Sequence, residues 1–130
     1  MSTELTVLAW GCVLALVHIF ATIRFKTRQY GKTWNMGARD ETLPPLAPVC
    51  GRLERAQANF FETFPIVIAA VLTVEVTGAN SQWSAWGAIL WLTARIIYLP
   101  LYGYGVPKVR TLVWAAALLG IVMILAPLLF

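Results

Sequence analysis

Residues 52–65 read RLERAQANFFETFP and pass without a break into the apolar run IVIAAVLTV at 66–74. At about 100° per residue, Arg52, Arg55, Asn59 and Glu62 fall within an arc of about 80°, while Phe60, Phe61, Phe64 and Ile66 to Leu72 supply apolar surface. An ionisable side chain inside a membrane span costs about 2.5–3.5 kcal/mol on insertion scales, so such residues face a bundle interior and mark a site. The stretch therefore reads as a membrane helix with a polar stripe, expected to point into the bundle.

The rest of the chain supports a membrane setting. Of 130 residues, 59% are hydrophobic and 12% charged, and the mean hydropathy is +0.72, well outside the range of soluble domains. Four stretches approach the roughly 20 residues needed to cross a hydrocarbon core of about 30 Å. They lie at about 5–25, 56–76, 83–101 and 109–128. The fold class expected is an all-α integral membrane protein, a four-transmembrane-helix bundle forming a single domain over 1–130. The first stretch lacks a basic leader and a small-residue cleavage pattern, so it reads as a retained span rather than a signal peptide.

Orientation follows from the basic residues. Seven of the ten Lys and Arg lie between Arg24 and Arg55, and Lys108 and Arg110 lie at the third connection. The positive-inside tendency makes the first and third connections cytoplasmic and puts both termini and the Thr77–Gln82 connection on the outer side. The net charge of +4 thus borders a membrane and suits anionic lipid heads or a small anionic ligand; no basic-aromatic motif suggests nucleic acid. Cys12 and Cys50 form no disulfide framework and have no partners at metal-ligand spacing.

The long first connection, about Lys26 to Gly51, ends in LPPLAPVCG, whose prolines remove backbone donors and disfavour helix. An ordered or semi-ordered loop is expected there. Gly78–Ser81 and the Gly103, Gly105 and Pro107 group are turn signals that make successive helices antiparallel neighbours. Trp10, Trp83 and Trp86 at one boundary, and Trp34, Tyr102 and Tyr104 at the other, read as aromatic belts.

Chemistry concentrates near the first and third connections. A rise of about 1.5 Å per residue puts Glu62 about 15 Å below Arg52, where it needs a cation or a donor. Arg95, Tyr98 and Tyr102 share a face of the third span, Arg110 opens the fourth and Arg24 closes the first, so all four spans carry a polar or cationic group toward one zone. An internal clamp pairing Arg55 with Glu62 is the alternative use of these charges. The cations Arg24, Arg52, Arg55, Arg95 and Arg110 outnumber Glu54 and Glu62, however, and an anion with carboxylates would complete the set through guanidinium forks. A zwitterionic peptide with two carboxylates and one amine fits, with Gln57, Asn59, Tyr98 and Tyr102 adding polar contacts. His18 is expected to hydrogen-bond a neighbouring helix, and Glu75 to be solvated. No nucleophilic triad, phosphate-binding glycine loop, haem signature or zinc motif is present.

The pattern R-x-x-R-A-Q-x-N-x-x-E-x-F-P from Arg52 to Pro65, with A-R-x-x-Y-x-x-x-Y from Ala94 to Tyr102 and then Arg110, resembles the membrane-associated proteins in eicosanoid and glutathione metabolism, the MAPEG family. The resemblance covers nearly the whole chain. It implies a homotrimer of four-helix protomers with glutathione bound as co-substrate between adjacent subunits near the cytoplasmic leaflet, and a transferase or peroxidase acting on lipophilic electrophiles or lipid hydroperoxides. It further implies that Arg55, Asn59, Glu62, Tyr98 and Tyr102 hold glutathione from one subunit. Arg24, Gln57 and Arg110 complete the pocket or come from the neighbour, and Arg52 and Arg95 support it. Lys26 and Arg28 are alternatives to Arg24. Arg110 is the expected activator of the thiol, because only the thiolate attacks and a guanidinium favours it. The alternative function is a non-catalytic membrane scaffold or accessory subunit of a larger complex.

Overall fold

A computed structural model describes residues 1–130. The chain is all helical: α1 (Thr3–Tyr30), α2 (Lys32–Met36), α3 (Pro48–Thr77), α4 (Gln82–Gly103) and α5 (Pro107–Leu129). All but the five-residue α2 are long and apolar enough to cross a membrane, so the four spans expected from sequence are present. Two differ in extent. α1 continues to Tyr30, and α3 begins at Pro48, inside the segment expected to be loop. Pro48 is the first residue of α3, where a missing N–H costs nothing and a fixed φ is already helical; the same logic starts α5 at Pro107.

The ends are set by local chemistry. Ser2 caps α1 by accepting the Leu5 N–H at 3.1 Å. Gly78, at φ 66°, closes α3 in the left-handed conformation, and the Ala79 N–H returns to the Val74 carbonyl at 3.0 Å, a Schellman-type stop. Ser81 and Ser84 then cap α4 reciprocally, each hydroxyl accepting the other's backbone N–H, as in a capping box.

Packing inside the bundle rests on aromatic rings and on glycine. Phe64 stacks on Trp91 with centroids 5.8 Å apart and Phe60 lies 4.9 Å from Phe64; all three rings are buried. Gly11 admits them against α1, since a Cβ there would sit 3.0 Å from Phe64. α4 and α5 meet backbone to backbone at Gly87 and Gly120, where an added Cβ on either would lie 2.6 Å from the other's carbonyl oxygen. Such small-residue contacts replace the missing hydrophobic drive between helices in lipid.

The end holding both termini is tied by a polar clasp. Glu4, buried, accepts from Asn80 Nδ2 at 2.7 Å and from the Ser84 hydroxyl at 2.8 Å. Glu75 accepts from Asn80 Nδ2 and from the Ser2 hydroxyl. Glu75 is thus half-buried and bonded, not simply solvated as expected, because the α1 N-terminus folds over it.

At the opposite, loop end, α1 and α3 reach past α4. The loop is ordered by Gln29, which donates to the Pro45 carbonyl and accepts from the Ala47 N–H, and by Tyr30, which donates to the Pro44 carbonyl. Trp34 is buried against Tyr30 and Arg39, so it belongs to this loop core and not to an aromatic belt. Trp10, Trp83, Trp86 and Tyr104 are exposed, as belt residues should be.

Candidate functional site

α3 is the axis of the site, and its polar residues divide between two sides. On one, Arg52 donates Nε to the Gly103 carbonyl at 2.9 Å and Arg55 donates Nε to the Tyr102 hydroxyl at 3.2 Å. Arg110, from the first turn of α5, lays its guanidinium 4.6 Å from the Tyr102 ring centroid. Two arginines therefore share one phenol, one at its oxygen and one over its face, where the ring quadrupole attracts a cation. Three helices meet there, brought together by the tight Tyr104–Val106 turn, in which the Val106 N–H bonds the Leu101 carbonyl.

The side chains of this flank point outward. Arg55 and Glu62 are exposed, contrary to the expectation that the stripe faces the bundle interior. The interior is already filled by Leu53, Ala56, Phe60 and Phe64 on the opposite side of α3, so the polar stripe falls on the lateral surface of the protomer. Glu62 has no hydrogen-bond or ion-pair partner, and the one ion pair in the chain is Lys26–Glu54 at 2.8 Å. The internal Arg55–Glu62 clamp is accordingly not formed.

Asn59 links this flank to the core. Its Oδ1 accepts from Arg95 Nη1 at 2.8 Å, which leaves its amide N–H groups free of protein partners. Arg95 itself is only 1% exposed. Its guanidinium lies 4.4 Å from the Tyr98 ring and 5.3 Å from the Phe60 ring, and its Nε and Nη2 have no partner. Arg95 thus lies behind the stripe and reaches it only through Asn59, although the spacing of Arg95, Tyr98 and Tyr102 put all three on one face. Tyr98, also buried, contacts Tyr102 edge to face at 5.5 Å.

The contribution of α1 differs from expectation. Arg24 is exposed and makes no hydrogen bond, so the convergence at Tyr102 involves α3, α4 and α5 but not α1. Lys26 instead borders Gln57, on the other side of α3, in a hollow of about 260 Å³ that also includes Arg39. Gln57 is two residues from Arg55, about 160° around the helix, so the two side chains leave α3 on different sides. Arg39 has no periodic relation to the spans, and sequence spacing left it out of the constellation. His18 is fully buried with its ring 4.8 Å from Phe60, and neither nitrogen has a partner. The expected hydrogen bond is absent because α3 presents it with an aromatic face.

Four spanning helices in one bundle, with a polar flank assembled on three of them, define a small multi-pass integral membrane protein. The family model described as MAPEG family matches residues 7–130, and the chain belongs to that family, the membrane-associated proteins of eicosanoid and glutathione metabolism. The family contains glutathione transferases and peroxidases and also members without enzymatic activity. No curated protein and no solved structure matches the chain.

Proposed function

We propose that the protein is a glutathione-dependent transferase or peroxidase acting on lipophilic electrophiles or lipid hydroperoxides, working as a homotrimer with glutathione bound between adjacent copies. The observation that carries this reading is the outward-facing flank on which Arg55 and Glu62 of α3 are exposed without an ion-pair partner, with half-buried Asn59 of α3 and Arg110 of α5 beside them. Charges left facing hydrocarbon are costly, and both a second copy of the chain and a zwitterionic ligand relieve that cost.

In this reading guanidinium forks of Arg55 and Arg110 face the peptide's anionic groups, Glu62 accepts from its ammonium, and the free Asn59 amide donates to one of its carbonyl or carboxylate oxygens. Tyr102 lines the same pocket, with Tyr98 and Arg95 buried behind it and Arg52 toward its loop end. The neighbouring copy brings Gln57 and a cation from α1, Arg24 by family likeness or Lys26 by its nearness to Gln57. Arg110 stabilises the thiolate; its position in the first turn of α5 adds the favourable end of a helix dipole. The thiolate sulfur then attacks the electrophile and the leaving group departs with the bonding electrons. A lipophilic partner reaches the site laterally from the bilayer. The basic residues around Arg24 to Arg55 and at Lys108 and Arg110 favour a cytoplasmic loop end.

Purified protein titrated calorimetrically with glutathione, followed by conjugation assays with a chlorodinitrobenzene-type electrophile and a lipid hydroperoxide, tests the proposal. Saturable binding, with turnover at neutral pH that Arg110→Ala sharply lowers, is expected. Absence of binding, or equal turnover in Arg110→Ala, would refute it and leave the scaffold reading in its place.

A further inference from the structure

The hollow on the Gln57 side of α3 contains a cation that nothing in the proposed site uses. Arg39 lies in the loop between α2 and α3, and its backbone adopts φ 63°, the left-handed region that an L-residue with a long side chain rarely occupies. Such a conformation persists only where its surroundings impose it, and it points to a functional constraint.

The surroundings here hold the guanidinium in place. Arg39 Nη2 donates to the Asn35 backbone carbonyl and to Asn35 Oδ1, both at 3.0 Å, and Nε donates to the same carbonyl at 3.3 Å. Its Cζ sits 4.5 Å from the Trp34 ring centroid. Asn35 is anchored in turn, donating to the Thr27 hydroxyl of α1 at 2.8 Å. A flexible arginine has thus lost most of its freedom without gaining a carboxylate. Lys26, across the hollow, is partly neutralised by Glu54 at 2.8 Å, whereas Arg39 has no ion-pair partner, and its Nη1 donates to nothing. With Gln57 beside it, the arrangement is a preorganised receptor for an oxyanion.

We propose that Arg39 binds one carboxylate of glutathione across the subunit boundary, with Lys26 and Gln57 beside it, and so selects for a peptide carrying two carboxylates. This rests on the intersubunit glutathione site proposed above. The separation of Gln57 from Arg55 around α3 favours a shared site, in which the Arg39 side of one copy faces the Arg55 side of another. Charge matching also favours the assignment: each bound peptide adds two carboxylates and one ammonium, and Glu62 already meets the ammonium.

The test is calorimetric titration of the full-length protein, its Arg39→Gln, Arg39→Lys and Arg55→Ala variants, with glutathione and with glutathione esterified at either carboxylate. Arg39→Gln should weaken glutathione binding about ten-fold, the scale of a lost charge-assisted contact. One ester should bind the unaltered protein about ten-fold more weakly than glutathione but lose nothing further in Arg39→Gln. Arg39→Lys should recover part of the affinity, since it keeps the charge but not the fork. If Arg55→Ala abolishes binding while Arg39→Gln and Arg39→Lys stay within about two-fold of the parent, the inference fails and the proposed function stands. If the unaltered protein binds no glutathione, both fail. If Arg39→Gln sheds co-purifying anionic phospholipid yet keeps its glutathione affinity, the hollow serves lipid heads and the inference is overturned. Should Arg39→Gln not fold, equal affinity of the parent for glutathione and both esters would overturn it as well.

Discussion

Replacing Gly120 by alanine should part α4 from α5. The new methyl carbon would lie 2.6 Å from the Gly87 carbonyl oxygen, 2.7 Å from the Trp91 backbone nitrogen and 3.1 Å from its Cα. All three are backbone atoms, so no side chain can swing aside. Ordinary contact begins near 3.4 Å, and the two helices must therefore separate by roughly 0.7–0.8 Å, enough to forfeit a quarter to a half of each nearby dispersion well. Overpacking of this kind costs about 1–3 kcal/mol. In a chain of this size that corresponds to a fall in melting temperature of several degrees, read by circular dichroism in a fixed detergent. Gly87→Ala meets the other side of the same crossing, with 2.6 Å contacts to the Gly120 carbonyl oxygen and to Met123 Cβ, and should cost a similar amount. The double variant should then be less destabilised than the sum, because helices already parted have room for the second methyl. Full stability in both single variants, or strict additivity in the pair, would refute a backbone contact at this crossing.

Three further outcomes follow from the site and its supports. Asn59→Ala leaves buried Arg95 with no protein hydrogen bond and should destabilise the bundle by about 1–3 kcal/mol, whereas Asn59→Asp should keep the Arg95 contact yet weaken glutathione binding by replacing amide donors with a negative charge; thermal melting and calorimetry separate the two effects. Arg110→Ala should move the acid limb of the conjugation rate upward in pH toward the unperturbed thiol value near 8.5, because removing a cation raises the thiol pKa: the rate loss is largest at neutral pH and shrinks in alkali. An unshifted profile would remove Arg110 from thiolate stabilisation. Glu4→Ala should take from the Asn80 amide and the Ser84 hydroxyl the carboxylate that ties them to α1, leaving them only Glu75 and the Ser81 carbonyl, and cost about 1–2 kcal/mol, with hydrogen exchange rising at the α3–α4 turn while glutathione affinity, set at the far end, stays constant.

Much of the fold is legible in the sequence because lipid leaves a chain few options: backbone groups must be satisfied within helices, and apolar runs of the right length reveal them. Pro48 misleads because a proline both ends one segment and begins another, and only the following residues decide which. Side-chain direction is less legible. The arc from Arg52 to Glu62 identifies a stripe, but whether it faces inward depends on what Phe60 and Phe64 pack against, and in this chain they claim the interior with Trp91. Arg95 illustrates the converse, since its spacing from Tyr98 matches a shared face while its depth behind Asn59 is a property of two helices at once. Arg39 and Trp34 belong to a loop whose order comes from single hydrogen bonds to Gln29, Tyr30 and Thr27, and no periodic signal encodes those.

The overhang of α1 has a consequence for who can meet whom. From Thr22, which bonds the Leu53 carbonyl at 3.3 Å, α1 runs eight more residues to Tyr30, about 12 Å at helical rise. A 22-residue α4 spans only about 33 Å, little more than the hydrocarbon core. The flank at Tyr102 therefore sits where α4 ends and the longer helices continue, at the partition between two solvents. Under the proposed function, a charged solute and an oil-soluble one would each arrive there from its own phase, neither paying to enter the other's, and a thicker or thinner bilayer would change which of them finds the door open.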